Sequence, residues 1–122
     1  MKTKLSFFTL LLSIALLTAC SNSDGNLIDT GSLTEGSWVS YDGNTVENEE
    51  MRSTDHIDYD PAKTYEVNRS SYVSYYNGEE FIETIQYSDE PPMTLDTVDE
   101  ADSIVISFNQ YNEDTITLTE AE

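Results

Sequence analysis

The chain has 122 residues, and its 24 Asp and Glu against 5 Lys and Arg give a net charge of −19 at pH 7. Nucleic-acid phosphates are bound by clustered Lys and Arg, so this charge excludes nucleic acid as a partner. The single cysteine excludes an internal disulfide, and the length allows one domain that its core alone must stabilise.

The N-terminal residues have the features of a secretory signal peptide. Lys2 and Lys4 give a basic start, an apolar run follows from Leu5 to Leu17, and small residues precede Cys20. A membrane-spanning helix needs about 20 apolar residues, and this run is shorter and is followed by polar sequence, which argues against an uncleaved span. We therefore predict a helical signal peptide at residues 1–19 that is removed on export.

The end of this segment carries a second signal. The motif Leu17-Thr18-Ala19-Cys20 resembles the lipobox of bacterial lipoproteins. That resemblance implies that a diacylglycerol is attached to the Cys20 thiol and that acyl chains anchor the protein in the bilayer, on the extracytoplasmic face of the bacterial cell membrane. Ser21, in place of Asp, implies the outer membrane in a double-membrane organism. An ordinary secreted protein is the alternative, but it would carry a lone reactive thiol in an oxidising compartment.

Residues 20–34 are small, polar and rich in turn-forming types, so we predict a flexible tether there, with 26–28 as a candidate first strand. Residues 35–122 are predicted to form an all-β domain, because short runs of alternating polarity recur about every ten residues between turn signals. This pattern is typical of a sandwich or barrel. The predicted strands are 37–41, 54–59, 64–67, 70–76, 80–87, 103–108 and 115–119.

Alternation also predicts which side chains face the core, because successive side chains of a strand point to opposite faces. The large apolar residues at even positions of 103–108 are expected inside. Tyr75 and Tyr76 must lie on opposite faces, so at least one of them is expected at the surface. Trp38 is predicted to be a buried anchor.

Two stretches carry a further resemblance. Residues 52–67 read as a strand, then a turn from Pro61 and a second strand, and residues 75–82 read as an aromatic strand, an Asn-Gly turn and a Phe-Ile return. With the strands near 103–108 and 114–120, they resemble, in order, the carbohydrate-binding-module-like jelly rolls of the galactose-binding fold. The resemblance implies a small jelly-roll β-sandwich, although Ala62 stands where the family has a turn glycine and the chain is shorter than a typical module.

Aromatic residues are the candidate ligand-binding groups. Trp and Tyr rings offer amphipathic contact area with few rotatable bonds to freeze. We predict a binding surface that includes Tyr41, Tyr75, Tyr76 and Tyr111. The leading hypothesis is a membrane-anchored, extracytoplasmic, non-catalytic binding module for glycan or an envelope protein. The alternative is a structural or protein-interaction lipoprotein of the cell envelope with no small-molecule ligand.

Enzymatic activity is not expected. His56 is the sole histidine, its neighbour Asp55 points to the opposite face of the strand, and no Gly-x-Ser-x-Gly motif is present. A catalytic carboxylate pair needs a deep, partly apolar cleft, for which a domain of this size has little volume.

No cofactor is predicted, but the acidity has two readings, solubility and a structural Ca²⁺ site, since Ca²⁺ takes oxygen ligands. Neither acidic cluster has an EF-hand loop. The candidate calcium ligands are Asp55, Asp58 and Asp60 in one cluster and Asp96, Asp99, Glu100 and Asp102 in the other.

Overall fold

The structure, a computed structural model, describes residues 25–121. The predicted signal peptide at residues 1–19 and the predicted lipidation site Cys20 lie outside this range. In the described range, no helix has the length and apolar content needed to cross a bilayer. The strands in that range are β1 (Thr34–Val39), β2 (Thr45–Ser53), β3 (Ile57–Asp58), β4 (Thr64–Val67), β5 (Ser71–Asn77), β6 (Glu80–Tyr87), β7 (Met93–Thr94), β8 (Ser103–Asn109) and β9 (Leu118–Ala121).

These strands form two antiparallel sheets. The larger sheet has the order β1-β2-β8-β5-β6, with β3 also paired to β8, and the smaller sheet has the order β7-β4-β9. From β3 onward the chain crosses repeatedly from one sheet to the other, as it does in double-sheet jelly rolls. The all-β sandwich that the sequence predicts is confirmed.

The core lies between the inner faces of the two sheets. Ile104, Ile106 and Phe108 of β8 are fully buried there, as their alternation predicts. The smaller sheet contributes Val67 and Leu118, also fully buried. Because both inner faces are apolar, their contact removes hydrocarbon surface from water on each side of the sandwich.

The β1–β2 hairpin folds over the outer face of the larger sheet. At the base of the hairpin Glu35 pairs with Arg52, and further along Ser37 pairs with Glu47. Between these two pairs β1 has one residue and β2 has four, so β2 carries three extra residues. An irregularity of this kind bends a hairpin. The bent arm reaches the centre of the sheet, where the backbone N–H of Val39 donates to the Ser107 hydroxyl at 3.2 Å. β8 is therefore buried on both faces.

Part of the predicted tether at residues 20–34, the segment 26–28, contacts the sandwich. The backbone N–H of Leu27 donates to the Leu118 carbonyl at 2.7 Å, and the side-chain oxygen of Asn26 accepts from the N–H groups of Leu118 and Ile28, each at 3.0 Å. Ile28 is buried in the core. These contacts attach the segment from Asn26 to Ile28 to β9 and to the core, so this part of the predicted tether is held by the sandwich.

Candidate functional site

Three aromatic side chains meet on the outer face of the larger sheet. The rings of Trp38 and Tyr72 lie 4.8 Å apart between centroids, and the Tyr41 ring stands edge-on to Tyr72 at 6.0 Å. The Tyr41 hydroxyl donates to the side-chain oxygen of Gln86 at 3.1 Å. Tyr41 is nevertheless 57% exposed, so the group presents an open aromatic surface. We call Trp38, Tyr41, Tyr72 and Gln86 the outer aromatic patch.

A tight turn at the tip of the β1–β2 hairpin holds Tyr41 in place. The Asp42 carboxylate accepts hydrogen bonds from the Ser40 hydroxyl and from the backbone and side-chain N–H groups of Asn44. These bonds, first of all the one from Ser40, hold the pKa of Asp42 below its usual range. Gly43 has φ +85° and lies against the ring of Phe81. The turn therefore places a fixed, ionised carboxylate next to Tyr41.

A second aromatic group lies further along the same face. Tyr76 is four residues after Tyr72 on β5, about 13 Å away by strand geometry. Its ring packs against those of His56 and Phe81, with 4.6 Å and 5.7 Å between the ring centroids. Burial raises the pKa of Tyr76. An open cleft of about 530 Å³ beside it is lined by His56, Asp58, Gly78, Glu79, Asp102 and Ser103.

Tyr75, predicted as a ligand-binding residue, lies instead in the core with 0% exposure. Its hydroxyl is 2.8 Å from that of Tyr87 and donates to the Asp96 carbonyl at 3.4 Å, while Tyr87 accepts from the Asp96 N–H at 2.9 Å. Tyr59 donates to the same carbonyl at 3.2 Å. Burial raises the pKa of all three tyrosines. Their hydroxyls fasten the Asp96 backbone to the sandwich, so Tyr75 has a structural role.

The remaining predicted residue, Tyr111, stands apart. It is 80% exposed on a 3₁₀ turn, Gln110–Asn112, and among the described residues no aromatic ring contacts it. The turn is held by the side chain of Asn109, which accepts from the Tyr111 N–H, and by Arg52, which contacts Gln110. The four predicted tyrosines therefore do not form one surface.

The patch also contains residues that the sequence did not single out for binding. Trp38, predicted as a buried anchor, is partly exposed on the folded hairpin. Tyr72 shares its strand face with Tyr76, and alternation along β5 was the signal that could have found it. Gln86 follows from pairing, since it lies opposite Tyr72.

The positions of the predicted catalytic and metal-binding side chains give little support to either kind of site. His56 Nδ1 lies 2.9 Å from the Ser103 hydroxyl, but within residues 25–121 no carboxylate hydrogen-bonds the ring, so a catalytic triad is not assembled. In that range no group of three His, Cys, Asp or Glu converges to hold a metal. Two of the predicted calcium ligands accept backbone hydrogen bonds, Asp60 from the Ala62 N–H and Asp102 from the Gly78 N–H, each at 2.9 Å.

No family model, curated protein or solved structure matches this chain. The resemblance to carbohydrate-binding jelly rolls therefore stays a prediction from the sequence motifs.

Proposed function

We propose that the protein is a membrane-anchored, extracytoplasmic lipoprotein whose β-sandwich is a non-catalytic module that binds glycan at the outer aromatic patch. The observation that carries the proposal is the position of Tyr41, which is 57% exposed while its ring and hydroxyl are both held. An exposed aromatic ring fixed in one orientation loses little side-chain entropy when a ligand stacks on it.

The chemistry of the patch suits a sugar. A sugar ring has an apolar face, which stacks on an aromatic ring, and a hydroxyl edge, which needs hydrogen-bond partners. Tyr41 and Trp38 supply aromatic faces. Gln86 accepts from Tyr41 through its oxygen, and its amide nitrogen can donate to a hydroxyl. The patch thus combines stacking surface and polar groups within one side of the sheet.

The short link to the predicted anchor favours presentation of this face. Five residues, 21–25, separate Cys20 from Asn26, and a chain of this length spans about 20 Å at most. Asn26 and Leu27 attach to β9 of the smaller sheet. The patch lies on the outer face of the other sheet, so lipidation at Cys20 would tether the sandwich from the layer opposite the patch.

Glycan binding is tested by a glycan array probed with the processed protein. Tyr41→Ala should weaken binding at least tenfold, because it removes the most exposed ring of the patch. Tyr111→Ala is the matched control, since Tyr111 is even more exposed but lies outside the patch, and it should leave affinity unchanged. Tyr76→Ala tests whether the ligand also reaches the second aromatic group. An array without binding, together with a stoichiometric protein partner in membrane extracts, would favour the protein-interaction alternative.

Lipidation is tested separately by mass spectrometry of the N-terminal peptide from membranes. The proposal expects a diacylglyceryl group on Cys20 and no preceding residues. Globomycin treatment should leave the leader attached. An unmodified Cys20 thiol on a cleaved chain would overturn the anchor without affecting the proposed glycan site.

A further inference from the structure

We infer that the outer aromatic patch takes uncharged or amine-bearing glycans and rejects glycans that carry carboxylate, sulfate or phosphate groups. The inference rests on the glycan binding proposed above and deepens it by naming the ligand class. It follows from where the few cationic side chains lie and from the charge that stands beside Tyr41.

The first two cations beyond Lys4 are used away from the patch. The Arg52 side chain is 12% exposed, and its Nε donates to Glu113 at 3.1 Å. Lys63 Nζ lies 3.0 Å from the Glu120 carboxylate at the smaller sheet. Each positive charge therefore already has a carboxylate partner on another part of the sandwich.

The third cation, Arg69, is the nearest to the patch along the chain, three residues before Tyr72. Its Nε donates to the Thr115 hydroxyl at 3.2 Å, and its terminal nitrogen donates to the Asn68 carbonyl at 3.1 Å. The first bond holds the guanidinium to the segment that leads into β9, and the second holds it to the residue that follows β4. Each Lys and Arg in the described part of the chain thus has its hydrogen-bond or carboxylate partners outside the patch.

Negative charge, in contrast, lies directly beside the patch. Asp42 follows Tyr41 directly, and the hydrogen bonds from Ser40 and Asn44 that lower its pKa favour the ionised carboxylate. The whole chain adds a net charge of −19. An anionic sugar stacked on Tyr41 would meet this field without a counter-charge, whereas a protonated amine would be attracted by it.

The test uses matched β-1,4-linked hexamers that differ in one substituent, namely a glucose, a glucosamine and a glucuronate hexamer. A mannan oligomer and a mannuronate oligomer repeat the comparison on a second sugar. Titration calorimetry is done on the processed protein in a polyoxyethylene detergent, because alkyl glycoside detergents carry a competing sugar. We expect the uronate ligands to bind at least tenfold more weakly than their neutral counterparts at about 0.05 M salt, and the preference for the amine to shrink at about 1 M salt.

The Asp42→Asn variant locates the effect. Asparagine can keep the oxygen that accepts from Ser40 and from the Asn44 backbone, loses the bond from the Asn44 side chain and removes the charge, so affinity for the glucosamine hexamer should fall at least threefold relative to that for the glucose hexamer. Glu66→Gln is the control of equal charge change, because Glu66 belongs to β4 of the smaller sheet and should alter neither affinity. Equal effects of the two variants would contradict the role of Asp42.

The outcomes separate this inference from the proposed function. A uronate hexamer that binds as tightly as the neutral hexamer, with binding lost in Tyr41→Ala, would overturn the charge selectivity and leave the glycan site standing. Absence of binding by every oligomer, neutral, amine-bearing and anionic, would overturn both.

Discussion

The three buried tyrosines that bond the Asp96 backbone, Tyr59, Tyr75 and Tyr87, give the sharpest prediction about stability. Tyr75→Phe keeps the shape of the side chain but removes a hydroxyl that bonds both Tyr87 and the Asp96 carbonyl. The Asp96 carbonyl keeps the hydrogen bond from Tyr59. The Tyr87 hydroxyl keeps the bond from the Asp96 N–H but loses its bond to the Tyr75 hydroxyl. We expect a loss of about 1–2 kcal/mol in the free energy of unfolding.

Urea denaturation followed by circular dichroism measures this loss, and thermal melting should show a fall of about 4–8 °C for each kcal/mol in a domain of this size. Tyr111→Phe is the matched control, since it deletes the same hydroxyl from an exposed ring and should change stability by less than about 0.5 kcal/mol. Tyr87→Phe should cost at least as much as Tyr75→Phe, because the Asp96 N–H also loses its acceptor.

The double variant completes the cycle. Tyr75→Phe combined with Tyr87→Phe should cost less than the sum of the two single changes, because the bond that joins the hydroxyls is lost only once. Additive losses would refute the closed arrangement of hydroxyls. A Tyr75→Phe protein as stable as the parent would refute the structural role assigned to the Tyr75 hydroxyl.

Three further predictions concern the same sandwich. Burial raises the pKa of Tyr59, Tyr75 and Tyr87 above the ordinary value of 10.0, so as the pH rises the unfolded chain loses these protons before the folded protein does. The free energy of unfolding should therefore be steady near about pH 8 and fall above about pH 10. Urea denaturation at each pH measures this change. Gly43→Ala should lower the melting temperature more than Gly36→Ala, because both positions have positive φ but only at Gly43 would the new Cβ lie 2.6 Å from Phe81; equal losses would show that the hairpin tip does not press on that ring. Excess EDTA should leave the melting temperature unchanged, since no three ligands converge in residues 25–121, and a clear fall would reveal a bound structural ion.

The sequence predicted those parts of the fold that depend on local alternation. In β8 the side chains at even positions fill the core as expected, and in β5 one of the two adjacent tyrosines is buried and the other is not. The strand β2 was missed, because Thr45–Glu50 is exposed throughout and has the composition of a polar loop. Its stability as a strand comes from pairing with β1, a partner that a local pattern does not show.

The same missing strand explains the errors in the site. Alternation assigns a side chain to one of two faces, but it does not say whether another layer covers that face. Because β2 was not predicted, the hairpin that it forms with β1 was not predicted either. This hairpin folds over the outer face and buries Val105 and Ser107. It also places Trp38 on that face rather than in the core. Alternation places Ser107 on the face opposite Ile106 and Phe108, and the arm buries that residue completely.

Tyrosine makes the distinction between core and surface hardest to read. A buried tyrosine must satisfy its hydroxyl, and here the backbone of Asp96 and Val98 supplies partners from a loop that carries no strand pattern. Tyr75 and Tyr76 therefore look equivalent in the sequence, yet Tyr75 is held by a loop residue 21 positions away and Tyr76 by neighbouring rings on the sheet surface. We propose Tyr41 as the binding residue because it combines an open ring with a hydroxyl held by Gln86 across the folded hairpin. That combination depends on the bend of the hairpin, so the irregularity in the β1–β2 pairing is the structural feature on which the proposed glycan site depends.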